Sequence, residues 1–307
     1  MNLTNEIIHI AGEAGFARAG VSPPSLSEKY VTAYQQRSEA GFFGTMNWMR
    51  RFYDYPTYLQ NRLPWAKSVL VAIDNYFQAA EWPAGIPKIA RYAWGADYHK
   101  VIARKLKKVC RRIKDLVPEV IYRAYVDNGP IMQKAFAAQA GLGWIGKNSL
   151  LIVPGIGSYC FIGIVFLSIE LNFNVPITAQ CGRCRRCLEA CPNKALVNEY
   201  ALDARRCTAY LTIEKTGDFT ASEMEKLQGW LYGCDICQIA CPYNRKWNRP
   251  GDAQYGAYFK EFGKPVDDWL KLTEDEFDQF FRNSPIRRRG FASWRRNLRA
   301  LVNNDHF

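Results

Sequence analysis

The stretch CGRCRRCLEACP, Cys181–Pro192, places four cysteines within twelve residues, separated by gaps of two, two and three. The chain of 307 residues contains ten cysteines and only three histidines. Its N-terminus, MNLTNEIIHIAGEAGF, predicts an amphipathic helix and has no basic segment typical of a secretion signal, so we expect a cytoplasmic protein. Disulfides are rare in that reducing compartment, and the close cysteine spacing therefore predicts metal ligation.

The same spacing, followed by proline, is that of the bacterial ferredoxin run C-x2-C-x2-C-x3-C-P, whose fourth cysteine ligates the other of two 4Fe-4S clusters. An incomplete second copy follows, with Leu231 at the place of its first cysteine. Cys207 lies between the copies and can supply the missing thiolate. We therefore predict two clusters with these ligands: Cys181, Cys184, Cys187 and Cys241 for the first, and Cys191, Cys207, Cys234 and Cys237 for the second.

A pair of structural zinc sites is the alternative, because zinc also accepts four thiolates at C-x2-C spacing. Zinc sites rarely need a third C-x2 step and a Cys-Pro ending in both halves, which favours iron-sulfur clusters. Two neighbouring clusters form a short electron relay, which implies a redox donor and an acceptor held in the rest of the chain.

Upstream of the cysteines, short β-rich runs alternate with helical stretches. Apolar residues between Tyr98 and Leu116 recur every three or four positions, which predicts one long amphipathic helix. The alternation predicts an α+β layer fold. The β-rich runs are SVLVAI at 68–73, EVIYRAYV at 119–126, NSLLIV at 148–153 and CFIGIVFL at 160–167.

These patterns divide the chain into three predicted segments. Residues 1–174 form an α/β catalytic domain, residues 175–245 form a small ferredoxin-like domain, and residues 246–307 form a basic, aromatic C-terminal segment. The longest apolar run, Cys160 to Leu167, is too short to span a membrane, which takes about 20 residues. The net charge of +12 favours a polyanionic partner, either a nucleic acid or an acidic membrane surface.

The stretch GLGWIGKNS at 141–149 has the glycine spacing of a dinucleotide-binding turn. Its context is reversed, because a helical stretch precedes the glycines and a strand follows them. A pyrophosphate would therefore not meet a helix N-terminus. We expect these glycines to form a helix C-cap and a close approach to a flat ligand instead.

Asp127 and His99 are the two candidate acid-base residues outside the cysteine runs. Asp127 ends the run VIYRAYV and precedes Asn128-Gly129-Pro130. Its carboxylate can cap the next helix, or it can act as a general acid beside an apolar cofactor that raises its pKa. His99 lies in the polar and aromatic context ARYAWGADYHK, where a structural and an active-site role are both open.

Several segments together resemble the epoxyqueuosine reductases, cobalamin-dependent iron-sulfur enzymes related to reductive dehalogenases. The resemblance extends from about Gly41 to the C-terminus, in consistent order. The segments that carry it are RYAWGADYHK, YVDNGP, AGLGWIGKNSLL, the two cysteine runs, LDARRCTAYLTIEK, YGCDICQIACPYN and SPIRRRGFASWRRN.

The resemblance implies reduction of epoxyqueuosine to queuosine at the wobble base of tRNA anticodons. It implies base-off cobalamin in the N-terminal domain, in agreement with Ile102 at the place of the glycine that follows a cobalt-binding histidine. Electrons would come from a donor such as flavodoxin or ferredoxin and pass through the clusters to cobalt. We expect a monomer that makes no membrane contact.

The resemblance also implies roles for individual residues. Asp127 matches the proton donor beside the cofactor, and Tyr98 and His99 match residues that line the substrate pocket. Further expected cofactor contacts are Arg50, Thr208 and Lys215. The expected tRNA contacts are Lys215, Arg287, Arg288, Arg289, Arg295 and Arg296, for which a generic solvated basic face is the alternative.

The sequence departs from the family at Gln133 and Ile164, where relatives usually carry acidic residues. Two other functions also fit parts of the sequence. A corrinoid iron-sulfur reductase for a small organohalide would share the clusters, the cobalt and Asp127, but would not need a basic C-terminal segment. A ferredoxin-like electron carrier would leave more than 170 residues before the first cluster ligand unexplained.

Overall fold

A four-stranded antiparallel sheet forms the centre of the computed structural model, which describes residues 2–52, 54–129, 131–247 and 249–303. The strand order in this sheet is β1-β2-β7-β4. Three two-stranded pairs accompany it, namely β3 with β10, β5 with β6, and β8 with β9. The strands are β1 (Arg18–Ser22), β2 (Ser68–Asn75), β3 (Lys88–Ile89), β4 (Tyr122–Tyr125), β5 (Trp144–Ile145), β6 (Leu151–Ile152), β7 (Cys160–Leu167), β8 (Leu196–Asn198), β9 (Ala201–Leu202) and β10 (Trp230–Tyr232).

The central pair of this sheet is β2 with β7, which run antiparallel from Ser68 opposite Leu167 to Asn75 opposite Cys160. All eight residues of β2 are buried. Both strands are rich in β-branched and aromatic residues, which pack well on a pleated surface. The predicted strand at 160–167 has the observed bounds, and the other three are observed with shifted ends.

Helices cover both faces of the sheet. They are α1 (Leu3–Glu13), α2 (Glu28–Glu39), α3 (Tyr55–Arg62), α4 (Tyr98–Leu116), α5 (Gln133–Gln139), α6 (Arg186–Ala190), α7 (Thr208–Ile213), α8 (Ala221–Met224), α9 (Ile236–Ile239), α10 (Pro242–Lys246), α11 (Val266–Leu270), α12 (Glu274–Phe280) and α13 (Gly290–Val302). The bounds of α4 are those predicted from its apolar periodicity. Across the part of the chain with described coordinates, no helix is long and apolar enough to cross a bilayer.

Alternate residues of β2 enter different cores, because successive side chains of a strand point to opposite faces. Leu70 and Ala72 join the core beneath α1 and α4. Val69 and Val71 join the core formed with α2, α3 and α5. The result is a three-layer arrangement around an antiparallel sheet, which confirms the predicted α+β class.

A third core joins the cysteine-rich and C-terminal segments. It contains Trp94 from the N-terminal region, Leu231 from β10, and Trp269 and Leu298 from the C-terminal helices. The parallel pairing of β3 with β10 adds a backbone connection between the predicted domains. The division into three domains stays a prediction, and within the structure its second and third segments share one core.

A buried ionic network ties the C-terminal segment to the sheet. Lys105 Nζ lies 2.5 Å from Asp74 Oδ2 and 3.2 Å from Asp252 Oδ2. Tyr255 donates its hydroxyl to Asp74 Oδ2 at 2.8 Å. The network therefore holds residues 252–255 against α4 and β2, on the same side of the sheet as the N-terminus of α4.

The glycine stretch at 141–149 approaches the protein's own backbone. Gly141 has a φ of +69° after α5, as expected of a helix C-cap. A Cβ on Gly141 would lie 2.4 Å from the Val175 oxygen, and one on Gly143 would lie 2.1 Å from the Ile152 oxygen. The expected contact with a flat ligand is therefore wrong at these two positions, because polypeptide fills the space.

Candidate active site and cysteine clusters

Tyr98, His99 and Asp127 meet where the N-terminus of α4 faces the turn that follows β4. The Tyr98 hydroxyl donates a hydrogen bond to Asp127 Oδ2 at 2.5 Å. His99 Nε2 lies 3.8 Å from the same carboxylate oxygen. The three residues form a connected group, which we call the acid group, at the end of the sheet.

Asp127 has a φ of +53°, which is uncommon for a residue other than glycine. Asn128 stabilises the turn, because its Oδ1 accepts a hydrogen bond from the Val126 N–H at 2.9 Å. The Asp127 side chain is 55% exposed. Helix α5 begins at Gln133 and has no side-chain cap, so Asp127 does not cap it. Its carboxylate is instead presented to the surface beside Tyr98.

The Tyr98 ring is stacked between two other rings. Its centroid lies 4.3 Å from that of Phe161, in nearly parallel planes, and 4.0 Å from that of His99. Burial raises the pKa of Tyr98, and the negative charge of Asp127 raises it further. The hydroxyl therefore stays protonated at neutral pH and acts as the donor to Asp127.

Asp97 orients His99 from the opposite side. Asp97 Oδ1 lies 2.8 Å from His99 Nδ1 and also accepts the His99 backbone N–H at 3.0 Å. Burial acts to raise the pKa of Asp97, but these interactions with His99 hold it below its usual value. An ionised Asp97 favours a proton on Nδ1, which leaves Nε2 facing Asp127. The separation of 3.8 Å between Nε2 and Asp127 Oδ2 is longer than a direct hydrogen bond.

Arg288 brings positive charge from the C-terminal segment to the acid group. Its guanidinium lies 3.0 Å from Glu214 Oε1. Burial acts to lower the pKa of Arg288, but Glu214, Tyr98 and Asp127 together raise it above its usual value. The backbone N–H of Asp97 also donates to the Asn283 oxygen at 2.6 Å. The C-terminal segment therefore borders the acid group, although sequence reasoning had not linked the two.

The four cysteines predicted to bind the first cluster line one small cavity. Three of them come from the first run, on and before α6, and Cys241 comes from the second run, just before α10. Burial raises the pKa of Cys187 to about 11, and the nearby Cys241 and Cys181 add to the increase. The crossing of the two runs brings Cys181, Cys184, Cys187 and Cys241 together.

The other four predicted ligands, Cys191, Cys207, Cys234 and Cys237, are partly buried and lie close to one another. Burial raises the pKa of Cys234, and Cys207 and Cys191 raise it further. Burial also raises the pKa of Cys237, with Cys234 and Cys207 as the nearest contributing thiols. The Ala195 N–H donates to Cys191 Sγ at 3.3 Å. Cys207 thus occupies the place left by the missing first cysteine of the second run.

The donor sets fit iron-sulfur clusters. Buried neighbouring thiols disfavour one another's ionised form, and bound iron offsets this cost because its positive charge attracts thiolates. Each set supplies four sulfur ligands and a mainly apolar surrounding, with Ile152 and Tyr243 against the first set. These are the properties of a site for a 4Fe-4S cluster.

Lys147 and Asn148 line the first cysteine cavity and were not predicted as part of it. Lys147 Nζ donates to the Gly182 oxygen at 2.7 Å and pairs with Glu199 at 2.8 Å. Asn148 is 4% exposed, and its Nδ2 has no hydrogen-bond partner among the residues with described positions. Both residues belong to the stretch GLGWIGKNS at 141–149.

The other residues expected near the cofactor differ in their surroundings. Thr208 is buried, and its hydroxyl donates to the Lys226 oxygen at 2.7 Å and accepts from Asn193 at 2.9 Å. Thr208 therefore packs inside the cysteine-rich region with its hydroxyl already hydrogen-bonded within the protein. Lys215 Nζ lies 3.3 Å from Glu223. The side chain of Arg50 lies outside the described residues.

The arginines of the C-terminal segment fall into two groups. Arg287 and Arg288 have about half-exposed side chains that pair with Asp278 and Glu214. Arg296 donates to the backbone oxygens of Lys215, Gly217 and Leu211, so it fastens the chain after α7. Arg289 donates to the backbone oxygen of Glu214, and the guanidinium of Arg295 lies over the Phe291 ring.

Gln133 and Ile164 have ordinary structural surroundings. The Gln133 amide donates to the Ile162 oxygen at 3.3 Å. Ile164 is fully buried in the core formed with α2, α3 and α5. Neither residue touches the acid group in the described contacts, so these departures from the family pattern do not alter its hydrogen bonds.

Comparison with known proteins identifies the family. Residues 57–128 match the profile described as epoxyqueuosine reductase QueG. The epoxyqueuosine reductase of Synechocystis is 38% identical over 288 residues, covering 92% of this chain and 99% of that one. The chain belongs to the epoxyqueuosine reductase family. A second relative, the epoxyqueuosine reductase of Gloeobacter violaceus, is 41% identical over 275 residues, covering 86% of this chain and 84% of that protein.

Solved structures and a second profile agree with this assignment. The epoxyqueuosine reductase of Streptococcus thermophilus superposes with a TM-score of 0.87 at 30% identity, covering all of this chain and 82% of that one. An epoxyqueuosine reductase bound to an epoxyqueuosine-modified tRNA-Tyr stem loop gives 0.86 at 26% identity, covering 98% and 80%. Residues 180–244, which include all eight predicted ligands, match a 4Fe-4S double cluster binding domain. This match confirms iron-sulfur over zinc.

Proposed function

We propose that this protein reduces epoxyqueuosine to queuosine in the anticodon of tRNA. The observation that carries the proposal is the acid group formed by Tyr98, His99 and Asp127. The match to 99% of the length of the Synechocystis epoxyqueuosine reductase supports it. Opening the epoxide to an alkene breaks both carbon-oxygen bonds of the ring, consumes two electrons and two protons, and releases water. The site must therefore deliver protons to one oxygen atom.

Asp127 is the proposed proton donor to that oxygen. Tyr98 fixes the position of one carboxylate oxygen, and the exposed carboxyl leaves its other oxygen free to face the substrate. In its imidazolium form, which carries a proton on each ring nitrogen, His99 held by Asp97 is the proposed source of the proton that restores the Asp127 acid. General acid catalysis by a positioned carboxyl group contributes about 10²–10⁴-fold in rate.

The eight cysteines are the proposed ligands of two 4Fe-4S clusters, with Cys181, Cys184, Cys187 and Cys241 on the first. When bound, the clusters and a base-off cobalamin supply the single electrons and the reduced metal that the epoxide requires. His99 is turned toward Asp97 and Asp127, so its ring nitrogens are not offered to cobalt. Arg50, Thr208 and Lys215 remain proposed cofactor contacts, and Thr208 has the weakest support because its hydroxyl is already used.

The C-terminal segment is the proposed contact with tRNA phosphates. Arg287, Arg288, Arg289 and Arg295 are the candidates there, together with Lys215. Arg296 is a weaker candidate because backbone oxygens occupy its guanidinium. Arg288 beside the acid group supports an anionic substrate over the small organohalide of the competing hypothesis.

The remaining proposals concern the protein as a whole. We propose that the protein is cytoplasmic, because its substrate is tRNA and its thiol ligands require a reducing compartment. We also propose that it is a monomer. We propose reduced flavodoxin or ferredoxin as the electron donor. The three segments 1–174, 175–245 and 246–307 are proposed as the catalytic, cluster and tRNA-contacting parts.

The test is anaerobic reconstitution with iron, sulfide and cobalamin, followed by nucleoside analysis of tRNA that carries the epoxide. We expect queuosine to appear in proportion to the reductant consumed. Complete loading with both clusters and cobalamin, without conversion of the epoxide, would contradict the proposal.

A further inference from the structure

A groove of about 230 Å³ runs along the sheet edge between α4 and β4. The residues that matter for its chemistry are His99, Ala103, Lys107, Tyr122, Val126 and Asn128. This volume is below the roughly 300–1,000 Å³ of sites that bury a whole drug-sized ligand, so the groove can hold only one part of a larger substrate. None of the roles assigned above uses this groove beyond His99.

The groove starts at the acid group and leads away from it. His99, Ala103 and Lys107 recur every four residues, so they lie on one face of α4 and span about 12 Å. On the opposite wall, Asn128 is next to Asp127, and Tyr122 begins β4 at the far end. A molecule whose reactive part lies at Asp127 can therefore extend directly into the groove.

The chemistry of the walls selects a flat group that carries an anion. Ala103 and Val126 provide apolar surface, and Tyr122 provides an aromatic ring that is 41% exposed. Lys107 is exposed and provides a cation at the same end as Tyr122. Proteins recognise unpaired RNA bases by stacking them on aromatic rings and by binding their phosphates with lysine and arginine.

We propose that this groove binds one unpaired nucleotide adjacent to the modified base in the anticodon loop. The base lies against Tyr122 and the apolar wall, and its phosphate contacts Lys107. The inference rests on the proposed function, because it takes tRNA as the substrate. It adds a second RNA contact, on the side of the acid group formed by α4 and β4.

Two lysine variants with the same change of charge test the phosphate contact. Lys107 lines the groove, whereas Lys108 is the next residue of α4, is also exposed, and is not among the residues that line it. Binding of an anticodon stem-loop RNA is measured at several salt concentrations. One lost phosphate contact in a single-stranded loop reduces the slope of log K against log salt by about 0.7. We expect this reduction in Lys107→Ala and none in Lys108→Ala.

Filling the groove tests the base contact. Ala103 is exposed on α4, so Ala103→Trp occupies the groove without disturbing a core. We expect its affinity for the stem-loop to fall at least tenfold, with both clusters and the far-ultraviolet circular dichroism retained. Equal salt slopes in the two lysine variants, or unchanged affinity in Ala103→Trp, would overturn the proposal.

The same measurements separate this proposal from the proposed function. They use binding of stem-loop RNA with and without the epoxide, and require no turnover. Groove-dependent binding by a fully loaded protein that leaves the epoxide intact would support the groove and contradict the reductase activity. Turnover with binding that is insensitive to all three variants would support the activity and contradict the groove.

The buried amide of Asn148 carries an independent inference about the first cluster. Asn148 Oδ1 accepts the Leu150 N–H at 3.2 Å, whereas Nδ2 has no partner within the described coordinates. An unsatisfied buried donor costs about 1–3 kcal/mol, and Asn148 lines the cavity of Cys181, Cys184 and Cys241. We infer that Nδ2 donates an N–H to a sulfur of the first cluster and raises its reduction potential. Such hydrogen bonds to sulfur are among the factors that set cluster potentials.

Redox titration of the reconstituted protein by electron paramagnetic resonance tests this inference. Asn148→Leu keeps the approximate volume and removes the donor. We expect the midpoint potential of the first cluster to become more negative, while that of the second is unchanged. Asn148→Asp serves as a second variant, since it is isosteric and offers only acceptors. An unchanged first potential in either variant with both clusters present would contradict the hydrogen bond.

Discussion

The central sheet and the cysteine-rich segment 180–244 differ in what their own residues bury. Every residue of β2 is buried, and α4 has a continuous buried stripe along its 19 residues. By contrast, α6 has five residues and none of them is buried, and α9 has four residues of which one is buried. Helices this short are marginal without tertiary support. The comparison indicates that apolar burial holds the sheet, whereas cluster ligation supplies much of what holds the loops around the cysteines.

Removal of iron is the most direct way to break this comparison. We expect a chelator under reducing, anaerobic conditions to expose the backbone at 181–193 and 234–246, while β2 and β7 stay protected. The physical reason is that ligand binding and local folding are coupled in such sites. Hydrogen exchange followed by mass spectrometry measures the effect segment by segment. Equal loss of protection in the sheet would contradict the distinction.

Replacement of Asp127 tests whether this exposed acid contributes to catalysis without contributing to the stability of the sheet or to cluster binding. We expect Asp127→Asn to lose about 10²–10⁴-fold in kcat, because the carboxyl proton is lost. The thermal midpoint and the content of about eight iron atoms should remain, since the side chain is 55% exposed and Asp127 is not among the predicted cluster ligands. The measurements are nucleoside analysis and iron assay. Full activity in this variant would remove Asp127 as the proton donor.

The buried pair of Lys105 and Asp74 tests how much a single ionic contact contributes to the stability of the sheet region. We expect Lys105→Met to lower the free energy of unfolding by about 3–5 kcal/mol, because it leaves the Asp74 carboxylate buried without its cation. Urea denaturation followed by circular dichroism measures the change. Lys108→Met is the matched control on the exposed face of α4, with an expected change within about 0.5 kcal/mol. Equal effects in the two variants would show that the pair contributes no special stability.

Removal of the Tyr98 hydroxyl tests whether its hydrogen bond orients Asp127 for catalysis. We expect Tyr98→Phe to lower kcat about tenfold, equivalent to about 1.4 kcal/mol, because Asp127 loses the hydrogen bond that orients it. The ring remains stacked on Phe161, so stability and cluster content should be retained. Steady-state kinetics with modified tRNA gives the value. A changed KM with the original kcat would assign Tyr98 to substrate binding instead.

The smallest expected effect separates the two groups of C-terminal arginines. We expect Arg287→Ala to raise the KM for tRNA a few-fold, because a partly exposed cation near phosphates is lost. Arg296→Ala should instead lower the thermal midpoint, because three backbone oxygens lose their donor. The two are compared by kinetics at two salt concentrations and by thermal denaturation. Identical behaviour would indicate one common role for both arginines.

The sequence predicts a structural feature well when the feature depends on residues that are close together along the chain. Helix α4 was predicted residue for residue, because its periodic apolar stripe is the same feature that buries it. The cysteine spacing predicted the double cluster domain, and the structure brings Cys181, Cys184, Cys187 and Cys241 together; the two ligand sets, with Cys207 in the second, stay a prediction. The glycines at 141 and 143 misled, because a close backbone approach has the same sequence signature whether the neighbour is a ligand or the chain itself.

The contacts of the acid group and of the C-terminal segment required the folded chain. Arg288 and Glu214 were not predicted around Tyr98 and Asp127, since they come from the C-terminal segment and from the residue that follows α7. Asp97 adjoins Tyr98 in the sequence, but its contact with His99 was not predicted. The roles of Lys147 and Asn148 beside the first cysteine cavity were also missed, although both lie within a quoted motif.

The sequence by itself determined the α+β class, the presence of a 4Fe-4S double cluster domain and the presence of an acid after a strand. These depend on periodicity and spacing along a short length of chain. Only the tertiary structure decided which side chains meet Asp127, where the basic C-terminal segment lies, and that a groove leads from the acid group along α4. The reason is that such contacts join residues far apart in the sequence, as between Asp97 and Asn283, and depend on how the packed layers orient one another.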